Sequence, residues 1–329
     1  MSGHQIILSR VPFRLPLGGG STDLPSYYEK YGGFIFGVTI NLYMDVLIKQ
    51  TQSDDLVHVH YKSFEAVPKV SEVQHELARE ALTMSNIDSC VAISFKADTP
   101  AGTGLGSSGA CSVALLKGLA CYRGEGLSNL EVAAKSFQMT QNLGLPDGVQ
   151  DPYVCSLGGF VVFDIERDGT IKFKKPNIKK ETADNFFNNT LFYYTGVSRE
   201  SKKILSEQDK EKILNLKHKT KQIGLDVWDS FKKGDLNKFG WLLNEHWQVK
   251  KAMSSSMSSD RFDDIYNKAL KTGALGGKIM GAGGGGYFMF YCPSKSIKEK
   301  VRKALVPFKM REMNFSLDTK GARTRKIDI

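Results

Sequence analysis

The stretch PAGTGLGSSGA, residues 100–110, sets glycines at 102, 104 and 106 ahead of Ser107 and Ser108. It sits between segments of opposite period. Before it, VAISFKAD (91–98) alternates Val91, Ile93 and Phe95 with smaller or polar residues, the two-residue period of a strand. After it, SSGACSVALLKGLACY has no proline, is rich in Ala and Leu, and spaces Ala110, Val113, Ala114 and Cys121 for one helical face. The glycines therefore join a strand to a helix.

Gly104 to Gly109 match G-x-G-x-x-G, and the strand-to-helix context meets the usual check for a dinucleotide fingerprint. A Rossmann unit also needs a second strand ending in an acid about 20 residues on, whereas CYRGEGLSNLEVAAK here reads as a loop entering another helix. A nucleotide-phosphate cradle needs less. Glycines let the backbone approach an anion, and the N–H groups of Gly106, Ser107 and Ser108 at a helix start meet negative charge. A serine hydroxyl there can ligate Mg²⁺. The plain alternative is a Gly-rich turn with a serine N-cap.

Three other stretches carry chemistry. GALGGKIMGAGGGGYFMFY (273–291) repeats the glycine pattern at Gly281 to Gly286, but a strand follows, so its backbone passes close to a ligand or to another part of the fold. RVPFRLPLGGGSTDLPSYYEKYGG (10–33) combines Arg14, a glycine triplet and Asp23 in a loop between strands, residue types that hold sugar hydroxyls and a phosphate. LPDGVQDPYVCS places Asp151 directly before Pro152, the layout of an Asp N-cap with proline at the first helical position; an ionised Asp can also accept a hydroxyl proton during phosphoryl transfer. G-K-[ST] is absent, which excludes the common P-loop, and no H-R-D or D-F-G set marks a protein kinase. His58 and His60 read as a solvated strand face without a third metal ligand, and Trp241 and Trp247 as core or cleft walls.

Length and composition set the frame. At 329 residues two domains are expected, and 41% hydrophobic with 24% charged residues describes an ordinary globular chain. No run approaches a membrane span, the N-terminus lacks a signal-peptide pattern, and the five cysteines have no metal spacing, so a soluble, cytoplasmic protein with reduced thiols is expected. The net charge of +10 is spread over helices that also carry acids, without interleaved aromatics; a small anionic substrate is expected rather than nucleic acid or membrane. The first half reads as strand-rich with three helices, and Arg167 to Asn189 as a Lys- and Asn-rich junction. The second half reads as helices with the strand GGYFMFYC and a last strand near FSLDT, α+β overall.

Together these pieces resemble the GHMP small-molecule kinases. The family's P-x-x-x-G-L-G-S-S-[AG]-A is matched by Pro100, Gly104, Leu105, Gly106, Ser107, Ser108, Gly109 and Ala110, and the N-terminal and C-terminal glycine motifs occur in the right order. The resemblance covers essentially the whole chain and is nearest to the branch acting on D-glycero-D-manno-heptose 7-phosphate. Fucokinase domains share the GGGSTD flavour. It implies an N-terminal domain like that of ribosomal protein S5 over 1–183 and a ferredoxin-like C-terminal domain over 184–329, with ATP, Mg²⁺ and sugar between them. Asp151 takes the position of the catalytic base, Arg14 that of its basic partner, Asp23 that of the sugar-binding acid and Ser108 that of the metal-ligand serine.

Gly102, Gly104, Leu105, Gly106, Ser107 and Ser108 are the phosphate-binding candidates; Gly20, Thr22, Asp23, Arg199, Lys250 and Gly283 are the substrate-binding ones. Lys251 and Lys278 are further cations for a substrate phosphate. The implied reaction is ATP-dependent phosphorylation of a sugar anomeric hydroxyl, heptose 7-phosphate to the 1,7-bisphosphate, in surface-polysaccharide precursor synthesis. An unphosphorylated sugar such as fucose, or a non-catalytic sensor on the same scaffold, are the alternatives. One departure stands out: the family's Mg²⁺-binding Glu lies roughly three helical turns before the catalytic Asp, where this chain has FQMTQNLG and no acid. Thr140 or Gln141 acting through water, reliance on ATP and Ser108, or weakened catalysis are the readings that remain open.

Overall fold

The computed structural model describes residues 5–198 and 213–328. Strand β1 (Gln5–Gly18) runs into a glycine loop and the short helix α1 (Pro25–Tyr31), and the chain returns antiparallel as β2 (Gly33–Gln50). Two prolines decide how β1 ends. Pro12 and Pro16 have no N–H to give the ladder, and the β1–β2 register shifts beside each of them. At the first shift the backbone N–H of Arg14 bonds to Leu105 O at 3.0 Å, so the bulge turns the Arg14 backbone toward the 100–110 loop.

The hairpin β3 (Val57–His60) and β4 (Phe64–Val67), helix α2 (Glu76–Met84) and β5 (Val91–Ala97) follow. The phosphate-loop candidate then leads into α3 (Ser107–Tyr122), α4 (Asn129–Asn142) and α5 (Gln150–Leu157), and β6 (Phe160–Ile165) and β7 (Ile171–Lys174) return to the sheet. The eighteen-residue β2 is long enough to pair β5 with its second half and β6 with its first. The sheet order β12–β1–β2–β5–β3–β4, with β6 and β7 branching from β2, includes the last strand β12 (Arg323–Asp328). Among the described residues only β3 and β5 pair in parallel. A doubly wound dinucleotide sheet is thereby excluded, and the opening glycines sit on an antiparallel scaffold.

Helix α6 (Lys180–Asn189) and β8 (Thr190–Tyr194) open the second half, followed by α7 (Leu214–Lys233), α8 (Leu236–Met253), α9 (Asp260–Lys271), β9 (Gly276–Ile279), β10 (Tyr287–Tyr291), α10 (Lys295–Leu305) and β11 (Arg311–Met313). Its antiparallel sheet has the order β11–β8–β10–β9. Phe36, Phe160, Phe186, Phe231 and Phe239 interlock where β2, β6, α6, α7 and α8 meet, so the two sheets share core.

Several expectations change. The Arg167–Asn189 segment holds β7 and α6 rather than a plain junction, and residues 183 and 184 lie inside α6. FSLDT contributes only an isolated bridge from Leu317 to Ile40; the last strand is the charged RTRKID, paired on β1. Trp247 is fully buried, but Trp241 is 59% exposed and walls nothing. His58 lies 3.3 Å from Asp54, and among the described residues no three His, Cys, Asp or Glu are grouped to hold a metal. No helix among them is long and apolar enough to cross a membrane.

Candidate active site

A cleft of about 420 Å³ opens where the end of β1, the 100–110 loop, the start of α5, and α8 with the β9–β10 loop converge. Its floor is the N-terminus of α3. Gly106 is the N-cap in the left-handed region (φ +80°), and no side chain caps the helix. The first-turn N–H groups, which have no intrahelical acceptor, are therefore available to a ligand, and the Ser107 Oγ is buried without a partner. A Cβ at Gly106 would lie 3.1 Å from Arg14 Cγ and 3.3 Å from Asp151 Cγ, so the glycine is required by both backbone and space.

Arg14 and Asp151 make the strongest contact in the cleft. Arg14 Nε and Nη2 both donate to Asp151 Oδ1, at 2.8 and 2.6 Å, while Nη1 donates to Gly104 O at 2.7 Å. Arg14 is 4% exposed, and its fork ties the acid to the glycine loop. Asp151 Oδ2 has no hydrogen-bond partner among the described residues and lies on the cleft wall. The N-cap expectation for Asp151 is corrected: α5 begins two residues earlier, at Gln150 with Val149 as its N-cap, and the carboxylate is engaged by Arg14 instead.

Asp23 lines the same cleft. It accepts from the Gln150 backbone N–H at 3.0 Å, and burial pushes its carboxyl up to about 6, helped by the nearby charge of Asp151 and opposed by that hydrogen bond. Gly148 is forced by this packing, since a Cβ there would stand 2.1 Å from Asp23 Oδ2. Gly20, Gly102, Gly104, Gly106, Ser107, Ser108 and Lys250 also line the cleft. Leu105 does not: its side chain is in the core and only its carbonyl reaches Arg14. Thr22 is fully buried, with its hydroxyl spent on Gly19 O and Phe34 O, and Gly283 packs against Met257. Arg199 lies outside the described residues.

Four cleft residues carry polar groups that the sequence reading had not combined. Gln150 is 6% exposed, and its Nε2 is buried without a partner. Asp147 lines the cleft with Ser108, and its carboxyl is pushed up to about 6, first by burial and then by the charge of Asp151. Lys278, at 1% exposure, has its Nζ 3.3 Å from His246 Nδ1 and 3.4 Å from Leu17 O, with no carboxylate partner among the described residues. Burial, then the charges of Lys250 and Arg14, hold its amine well below the ordinary lysine range; burial does the same to His246. Lys251 instead pairs with Asp263 at 3.1 Å. The Gln150 and Asp147 signal in the sequence was their place in the same short stretch, LPDGVQDP, as Asp151.

Residues 69–159 match the family model of the GHMP kinases N terminal domain, and residues 229–312 that of the GHMP kinases C terminal. The chain is 28% identical to the D-glycero-alpha-D-manno-heptose 7-phosphate kinase of Campylobacter jejuni, across 98% of its own length and 99% of the relative's. It is 25% identical to the L-fucokinase/L-fucose-1-P guanylyltransferase of Bacteroides fragilis, across 92% of this chain but 36% of that protein. The crystal structure of a D-glycero-D-manno-heptose 1-phosphate kinase from Bacteriodes thetaiotaomicron has the same fold, with a TM-score of 0.81 at 26% identity, covering 98% of this chain and 99% of that one. The loop of the first family model and the glycine run of the second meet at Gly104 and Gly281, and with that meeting point forming the cleft, the chain belongs to the GHMP kinases.

Proposed function

We propose that the protein transfers the γ-phosphoryl of ATP to the anomeric hydroxyl of a sugar that already carries a phosphate, D-glycero-D-manno-heptose 7-phosphate, giving the 1,7-bisphosphate. The observation that carries the reading is the Arg14–Asp151 pair, with Oδ2 left open beside the uncapped start of α3. Asp151 accepts the hydroxyl proton as the sugar oxygen bonds to phosphorus and the bond to ADP breaks; Arg14 keeps the carboxylate oriented and offsets charge on the transferring group. Gly102, Gly104, Gly106 and Ser107 cradle the nucleotide phosphates through backbone N–H groups. The donor chemistry at Ser108 suits Mg²⁺, which neutralises phosphate charge when bound. The apolar lobe lined by Met44, Tyr61, Leu77 and Phe95 takes the base, beside the His75 ring stacked on Phe95 at 4.7 Å.

Asp23, Gly20 and the Gln150 amide take the sugar hydroxyls. Lys250 and Lys278 take the substrate phosphate: the buried Lys278 amine, with no carboxylate partner among the described residues, becomes a stable charge only when an anion arrives, and Lys250 lines the same cleft. Arg199 remains a candidate for the same role.

The test is kcat/KM for heptose 7-phosphate against the free heptose and fucose. The phosphorylated sugar is expected to lead by at least about tenfold, roughly 1.4 kcal/mol, from one charge-assisted phosphate contact. Lys278→Met is expected to shrink that lead. A wild type that prefers free fucose overturns the substrate and favours the fucokinase-like reading.

A further inference from the structure

The family metal ligand on α4 has no acidic counterpart in this chain, and the structure shows what stands there. Thr140, 2% exposed, lines the cleft but donates its hydroxyl to Phe137 O at 2.8 Å. Gln141 turns its Nε2 to Asp147 O at 3.1 Å. Neither brings a negative charge. In the loop that follows, Asp147 lines the same cleft as Ser108, the second residue of α3.

We infer that Asp147 is the acidic metal anchor of this site, holding with the Ser108 hydroxyl the divalent cation that accompanies the nucleotide. The inference rests on the kinase reading. Three carboxylates crowd this end of the cleft, and protein groups answer two of them: Arg14 pairs with Asp151, and the Gln150 N–H bonds Asp23. Among the described residues no ion pair joins Asp147 to any cation, although two other acids stand near it. Positive charge at this point must therefore come with the ligand. A hydroxyl and a carboxylate are hard oxygen donors, and Mg²⁺ beside phosphates uses one or two such side chains and fills the remaining positions with phosphate and water. The Gln141 bond and the Leu145 N–H to Thr140 O bond, at 3.0 Å, brace the loop to α4 and fix where the Asp147 backbone sits.

Binding of Mn²⁺ in the presence of ADP, read by electron paramagnetic resonance, tests this without turnover. Asp147→Asn and Asp147→Ala are each expected to weaken Mn²⁺ at least tenfold, while ADP affinity in EDTA stays within twofold and shows the variant to be folded. Adding Thr140→Glu to Asp147→Asn is expected to restore most of the lost affinity, because it returns an acid to α4 on the same wall. A folded Asp147 variant that holds Mn²⁺ as tightly as wild type overturns the assignment and leaves the kinase reading intact. A wild type that binds no ADP with or without metal overturns both.

Discussion

Arg14 is buried because every part of its fork has a purpose: two donors fix Asp151, and a third holds the Gly104 carbonyl. Arg14 and Asp151 stand out in the sequence by their glycine-rich and proline contexts, and it is the family resemblance that joins them as a pair. Their pairing across 137 positions, and the use of Asp147 and Gln150, depend on the tertiary path and could not be read from spacing. Asp23 shows what such a site costs. Its folded pKa, about 6, lies above the ordinary 3.8, so the native state binds the proton more tightly than the unfolded chain, and stability is lost as pH rises through that interval. The ceiling on that loss is roughly 3 kcal/mol at 1.36 kcal/mol per unit. Asp23→Asn can still accept from the Gln150 N–H. It should melt close to wild type at pH 4 and several degrees higher at pH 7.5, while sugar affinity falls. Equal melting temperatures at both pH values would remove the desolvation argument.

At the scale of elements, the start of α3 is where local sequence and function agree most closely. Gly106 is in the left-handed region, and a Cβ there would stand 3.1 Å from Arg14 Cγ and 3.3 Å from Asp151 Cγ, tight enough to press on both. Gly106→Ala should therefore weaken ADP by at least tenfold in calorimetric titration, at a stability cost of about 1 kcal/mol from the strained φ. Unchanged ADP affinity in the folded variant would reduce the loop to a turn. Strand β5 and helix α3 were readable from their periods. Strand β12 was not, because RTRKID is a charged edge strand whose pairing partner lies at the other end of the chain. The seven-residue α1, too short for a repeating pattern, was also missed. The Asp151 cap was misread because Val149 already adopts helical angles, which moves the helix start upstream.

For the whole molecule, glycines set the distance between the two sheets' elements. A Cβ at Gly104 would lie 2.3 Å from Met280 O, one at Gly281 2.5 Å from Gly104 Cα, and one at Gly286 2.0 Å from Thr103 O. The second glycine run is thus explained by close packing on the first loop, and Gly281 also faces the cleft. Helix α7 uses the same device, with Gly224 against Gly18 and Gly19. In an ordinary helix interior Gly→Ala stabilises by 0.5–1 kcal/mol as a rough rule. Gly224→Ala should instead destabilise by roughly 1–3 kcal/mol, because its Cβ would stand 2.5 Å from Gly19 N, and should raise KM for the sugar by displacing the Gly20 loop. Denaturant melts of the variant check the sign. Such approaches are invisible in sequence, where the glycines announce only that something comes near.

In the proposed reaction this cleft moves a phosphoryl group to a sugar anomeric oxygen with Asp151 as proton acceptor. Phosphorus and proton magnetic resonance of a mixture of enzyme, Mg²⁺, ATP and heptose 7-phosphate reads it directly, in wild type and in Asp151→Asn, which keeps an oxygen for Arg14 to bond. A new phosphate resonance coupled to the anomeric proton is expected in wild type, and a rate lower by about 10²–10⁴ in the variant with nucleotide binding retained. A phosphate appearing at another hydroxyl, no transfer by wild type, or undiminished transfer by Asp151→Asn would contradict it.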